Sequence, residues 1–246
     1  MITTSKDKKS IGLLTVIKII GSLFAILYSI IQANLFGTGN LIEVYFASTA
    51  ILAVMLSLSQ SGVLAEIFLP IYHRLKREHS KSVALNAFSV ILIRIVLILL
   101  AVCLFFYILA PYFLNIFVPG FSVESKLLAI KIFRVTCIIL IPQVLSSFLS
   151  TLLNAEMIYG KTEIITIIRS ALNLVVLVVL FDKFGVWSLV ISLYIGHLFS
   201  MLTFLYLLRK NNLRLEWVWR QKEFNHLLFF RNCYSSLFYV GSTQFY

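Results

Sequence analysis

Five basic side chains stand inside or beside long apolar runs: Lys18, Arg94, Lys131, Arg134 and Arg169. The acids Glu43, Glu66, Glu124, Glu156, Glu163 and Asp182 all fall at or near the ends of those runs, so no carboxylate lies deep enough to pair with Arg94 in its own segment. An arginine at mid-bilayer costs at least about 2.5 to 3.5 kcal/mol unless it finds water or a partner. A cavity shared by these cations would attract anions. Arginine suits phosphate because its planar fork gives bidentate, charge-assisted hydrogen bonds. An exporter of cations would instead place Asp or Glu in the bundle. For all but Arg94 a second reading stands beside the first, in which a long side chain snorkels to an interface.

Polar residues accompany these cations. Ser57, Ser59, Gln60 and Ser61 point to most sides of one helix at roughly 100° per residue, and lipid tails cannot satisfy them. They serve either as glue between helices, with Gly62, or as the wall of a wet cavity. Lys131 and Arg134 share one face of their helix, and Arg169 and Asn173 stand one turn apart on theirs.

The elements that must position these residues are membrane spans. The organising stretch is Asn34 to Lys81: the loop NLFGTGN, an apolar run from Leu41 to Tyr72, and the charged string HRLKREHSK. Crossing a bilayer takes about 20 residues at 1.5 Å each, so the run reads as one transmembrane helix. The loop before it has no Lys or Arg and the string after it has Arg74, Lys76, Arg77 and Lys81, so it runs from the outer face to the cytoplasm. The first span covers about Gly12 to Gln32 with a cytoplasmic amino end, the third about Val83 to Leu109, the fourth about Leu127 to Leu153 with a kink expected at Pro142, the fifth Glu163 to Phe181, and the sixth about Val186 to Leu208. PYFLNIFVPGFSVESK reads as an outer interfacial loop, NAEMIYGKTE as an inner loop and DKFG as a tight outer turn. Residues 1–210 thus form a six-helix lobe, 211–226 an inner interfacial linker and 227–246 the start of a seventh span, truncated at Tyr246. With this threading the inner segments carry about thirteen Lys and Arg and the outer loops about two.

Composition agrees: 60% of residues are hydrophobic and the mean hydropathy is +0.97. This describes an all-α, polytopic helical membrane bundle and excludes soluble enzyme classes. The net charge of +11 follows from topology and contact with anionic membrane lipids rather than from nucleic acid. Cys103, Cys137 and Cys233 are far apart in apolar runs and the four His are scattered, so no disulfide framework, metal site, cofactor site or catalytic constellation is expected.

ANLFGTGNLIEVYF, SGVLAEIFLPIYHRLKRE, VPGFS, IFRVTCIILIPQ and SALNL together resemble the MurJ (MviN) lipid II flippase family, within the multidrug/oligosaccharidyl-lipid/polysaccharide exporter superfamily. The resemblance implies two six-helix lobes around a central cationic cavity in the bacterial inner membrane. They move undecaprenyl-diphosphate-linked glycans outward by alternating access, as in peptidoglycan biosynthesis. It identifies Glu43 with the family's acid after the FGxG loop, Arg134 with its arginine in the fourth helix and Asn173 with its asparagine in the fifth. Where the family carries arginines in the first two helices, this chain has Ser22, Tyr28, Leu56 and Ser57, which leaves Arg94 and Lys18 to supply that charge and widens the cargo to other polyprenyl-linked polysaccharide precursors. Six spans make one lobe, so alternating access requires the missing second lobe or a second copy. The alternatives are a small-molecule or drug exporter of the same superfamily and a non-transporting membrane fragment.

Overall fold

The computed structural model describes residues 5–60, 63–213 and 215, and describes their side chains outside 5–11, 13–14, 51–52, 54–60 and 63–67. Seven helices are found among them: α1 (Ser5–Phe36), α2 (Asn40–Gln60), α3 (Val63–Glu78), α4 (Lys81–Phe117), α5 (Val123–Ala155), α6 (Tyr159–Phe184) and α7 (Trp187–Lys210). Five of them, α1, α4, α5, α6 and α7, are long and apolar enough to cross a membrane.

The expected second span is corrected. Leu41 to Tyr72 is divided between α2 and α3, and neither is among the five. Residues 61–62, between the two, lie outside the described residues. At 1.5 Å per residue, the 16 residues of α3 reach only about 24 Å. The helix is also two-sided: Phe68, Tyr72 and Leu75 are buried at helical spacing, whereas Pro70, Arg74, Arg77 and Glu78 are exposed. It lies against α4 and α5 rather than standing alone in lipid.

The expected outer loop is also shorter than its prolines suggest. Helix α4 continues through Pro111 to Phe117, and only 118–122 separate it from α5. Ala110 and Leu114 on either side of Pro111 are fully buried against α5, and that packing offsets the lost backbone bond. Ser122 caps α5 by accepting from the Ser125 N–H at 3.2 Å. The tight turn expected at DKFG is present: the Gly185 N–H donates to Phe181 O, and Gly185 takes φ +50°, where a Cβ would be strained. The linker 211–226 and the seventh span lie almost entirely outside the described residues.

Helix α5 is the axis of the bundle, packed on α2, α4 and α7, while α1 rests on α6. The core is divided into two apolar tiers. One, beside the basic α3–α4 turn, gathers Phe68, Tyr72, Phe88, Phe148, Leu152 and Phe204. The other, at the opposite end, gathers Tyr45, Phe106, Phe133, Leu140, Leu177 and Leu189. The fully buried parts of the tiers stop short of each other: on α4 between Ile95 and Cys103, on α5 between Leu140 and Val144, on α6 between Ile165 and Leu177, and on α7 between Val190 and Phe204.

Candidate functional site: a polar band between two apolar tiers

Polar side chains fall in the gap between the fully buried parts of the tiers, beside the partly buried Ile141, Leu193, Phe199 and Met201. Gln143 of α5, Arg169 and Asn173 of α6, and Ser192, His197 and Ser200 of α7 all fall within it. Ser200 Oγ is the one buried side-chain polar atom among the described residues with no hydrogen-bond partner.

The α6–α7 hairpin joins most of this band. Arg169 Nη1 lies 3.4 Å from His197 Nδ1. Arginine has donors only, so Nδ1 accepts and the neutral ring carries its proton on Nε2. With the Asn173 amide oriented to suit its neighbours, its nitrogen donates to Ser192 O at 2.9 Å and Arg169 O at 3.3 Å. Ser192 Oγ in turn meets Tyr28 Oη of α1 at 3.4 Å. Gly196 makes this possible, since a Cβ there would collide with the Asn173 amide.

Beside His197 a cavity of about 190 Å³ opens between α2, α5 and α7, lined by Tyr45, Thr49, Thr136, Gln143 and His197 among others. Thr49 and Thr136 donate their hydroxyl protons to carbonyls of their own helices, at 2.9 Å to Tyr45 O and 2.8 Å to Ile132 O. Their lone pairs remain as acceptors. The wall is therefore neutral and hydrogen-bonding, with the Arg169 charge behind it.

Arg94 sits at the same height. Phe88 stacks on Phe148 at 4.7 Å and Cys103 Sγ donates to Cys137 O, an antiparallel register that puts Arg94 level with the Pro142–Val144 turn of α5. It is half-buried and has no hydrogen bond or ion pair with any described residue. Arg134 is elsewhere. Its Nε donates to Tyr107 O at 3.2 Å and its guanidinium lies 5.0 Å from the Tyr107 ring centre. Tyr107 is thirteen residues beyond Arg94 on α4, so the two arginines differ in height by about 20 Å. Lys18 and Lys131 are exposed on α1 and α5. Glu43 is exposed in the first turn of α2, where a negative charge complements the helix dipole. Thus the structure brings Arg169 and Asn173 together, sets Arg94 level with them, and holds Lys18, Lys131, Arg134 and Glu43 apart. Ser61 and the side chain of Ser57 lie outside the described residues.

His197, Ser192 and Gln143 are not singled out by sequence reasoning, and Tyr28 is marked only as a place where the family carries an arginine. One signal was available: Asn173 and His197 stand twelve residues either side of Gly185, and a helical hairpin folded at that turn sets them at one height.

None of the curated proteins compared with the chain matches it. A solved structure described as "Lipid II flippase MurJ, inward closed conformation" shares the fold, with a TM-score of 0.75 at 19% identity over 92% of this chain. The chain spans 47% of that structure's length, about half. The family described as "Lipid II flippase MurJ" matches residues 32–245. That match, over an all-helical bundle with five membrane-length apolar helices, places the chain in a family of transporters rather than enzymes: it belongs to the MurJ lipid II flippase family.

Proposed function

We propose that the chain is the amino-terminal lobe of a flippase for an undecaprenyl-diphosphate-linked glycan, either lipid II or another cell-surface polysaccharide precursor. It works by alternating access in the bacterial plasma membrane with its amino terminus in the cytoplasm. The observation that carries the reading is Arg94: a half-buried guanidinium with no carboxylate partner among the described residues, at the edge of one apolar tier and level with Gln143 of the polar band. Such a charge needs an anion or water, and a diphosphate supplies both charge and acceptor geometry. Arg169 and Asn173 support the same band from α6, with Ser57 and Ser61 as further polar candidates, whereas Lys18, Lys131, Arg134 and Glu43 stand apart from it.

A second lobe completes the cavity, from the same polypeptide or another copy, in keeping with the 47% of the solved flippase that the chain spans. In the full two-lobe protein, Arg94→Ala is expected to weaken binding of a polyprenyl diphosphate by about tenfold or more, the worth of one charged hydrogen bond. Unchanged affinity, measured by titration in nanodiscs, would remove Arg94 from the substrate path.

A further inference from the structure

At the basic end of the bundle three donors from two helices converge on one carboxylate. Glu156, just after α5, accepts from Tyr72 Oη of α3 at 2.7 Å, from Lys76 Nζ of α3 and from Lys81 Nζ of α4 at 3.3 Å. Its side chain is only 10% exposed, while the Lys76 and Lys81 side chains are 35% and 45% exposed. The Lys76 ammonium therefore faces both the carboxylate and the open groove beside it, while Lys81 holds the other carboxylate oxygen from outside the groove's lining. That groove, of about 780 Å³, is lined by His73, Lys76, Arg77, Glu156 and Met157 among others. Lys76, Lys81 and Arg77 against the single Glu156 leave a surplus of two positive charges. Met157, 73% exposed, puts an apolar side chain at its lip.

The backbone around Glu156 is pinned independently of its side chain. The Glu156 N–H donates to Leu152 O, Met157 N–H to Asn154 O and Ile158 N–H to Leu153 O, and Thr162 Oγ1 holds Asn154 Oδ1 at 2.8 Å. The carboxylate can leave its three donors by rotating about side-chain bonds alone. A phosphate brings more charge and more acceptor oxygens than a carboxylate to the same donors.

We infer that Glu156 occupies a second anion site, distinct from the mid-height band, in which Tyr72, Lys76 and Lys81 take a lipid phosphate at the membrane surface when the carboxylate swings out. The phosphate is that of a prenyl diphosphate or of an anionic phospholipid, and either reaches the groove with its apolar part toward Met157. The site does not depend on Arg94 or on the cargo proposed above.

The test uses the full-length protein in phosphatidylcholine nanodiscs, titrated with a short prenyl diphosphate and followed by ³¹P NMR. Glu156→Gln is expected to raise affinity roughly tenfold, because a neutral amide competes weakly for the lysines. The gain should persist with Arg94→Ala, which separates this site from the band, and disappear with Lys76→Gln added. A Glu156→Gln protein that stays folded and binds no more tightly overturns the inference. Were that variant not recovered folded, Lys81→Gln, at an exposed position, must lower wild-type affinity several-fold, and no change there is equally fatal. Repeating the titration in phosphatidylglycerol nanodiscs identifies the source: a gain abolished by phosphatidylglycerol assigns the site to the phospholipid, and one that survives assigns it to the prenyl diphosphate.

Discussion

Pro111 and Arg134 explain each other. A proline inside α4 has no N–H to donate to the carbonyl four residues back, which is Tyr107 O, and Arg134 Nε supplies that bond from α5. Arg134→Ala is expected to lower stability by about 1 kcal/mol, read as a fall in melting temperature in nanodiscs. Pro111→Ala restores the missing N–H, so the loss on Arg134→Ala should shrink in that background. Equal losses with and without Pro111 would show that Arg134 acts elsewhere. Both residues stand out in the sequence as oddities within apolar runs. What the sequence does not contain is their pairing, because the register of α4 against α5 is set by contacts between the helices, Phe88 on Phe148 and Cys103 on Cys137.

Between helices, the close approach of α6 and α7 is the feature on which the polar band depends. Gly196 leaves the space that the Asn173 amide fills, and that amide holds the Arg169 and Ser192 carbonyls. Gly196→Ala must push the amide out of both bonds or part the helices, and overpacking of this kind costs about 1 to 3 kcal/mol. Asn173→Ala vacates the same space, so the double variant should melt higher than Gly196→Ala alone. A double variant no more stable than the glycine substitution would mean that the two do not share this contact. The existence of α1, α4, α5, α6 and α7 was legible from apolar runs of membrane length, and α6 and α7 begin and end near where their turns suggest. Helix limits were less so. Pro111 looked like a terminator and is not, since buried neighbours outweigh one lost hydrogen bond. The run from Leu41 to Tyr72 is described as α2 and α3, neither of which is among the five membrane-length apolar helices.

Taken whole, the molecule is two apolar tiers with a polar band between them and a charged node at the basic end. The node ties α3, α4 and α5 together and should make stability sensitive to acid. Burial alone would raise the Glu156 pKa, but hydrogen bonds from Lys76, Tyr72 and Lys81 hold it below the ordinary 4.5. A depressed carboxyl stabilises the fold above its unfolded value, and that contribution fades from about pH 4.5 downward as pH falls through the folded value. Melting temperature is therefore expected to drop from pH 6 to pH 3 more steeply in the wild type than in Glu156→Gln, and parallel curves would show that the node contributes nothing. The sequence by itself determined the class of protein, the long apolar helices and the presence of unpaired cations, because hydropathy and span length are local properties that a bilayer reads directly. Only the tertiary structure decided which cations meet. Arg169 joins His197, Arg134 goes to a proline-freed carbonyl, Lys76 and Lys81 share Glu156, and Arg94 is left at mid-height. Those outcomes depend on the rotation and register of packed helices, which many distant contacts set together and no short stretch of sequence contains.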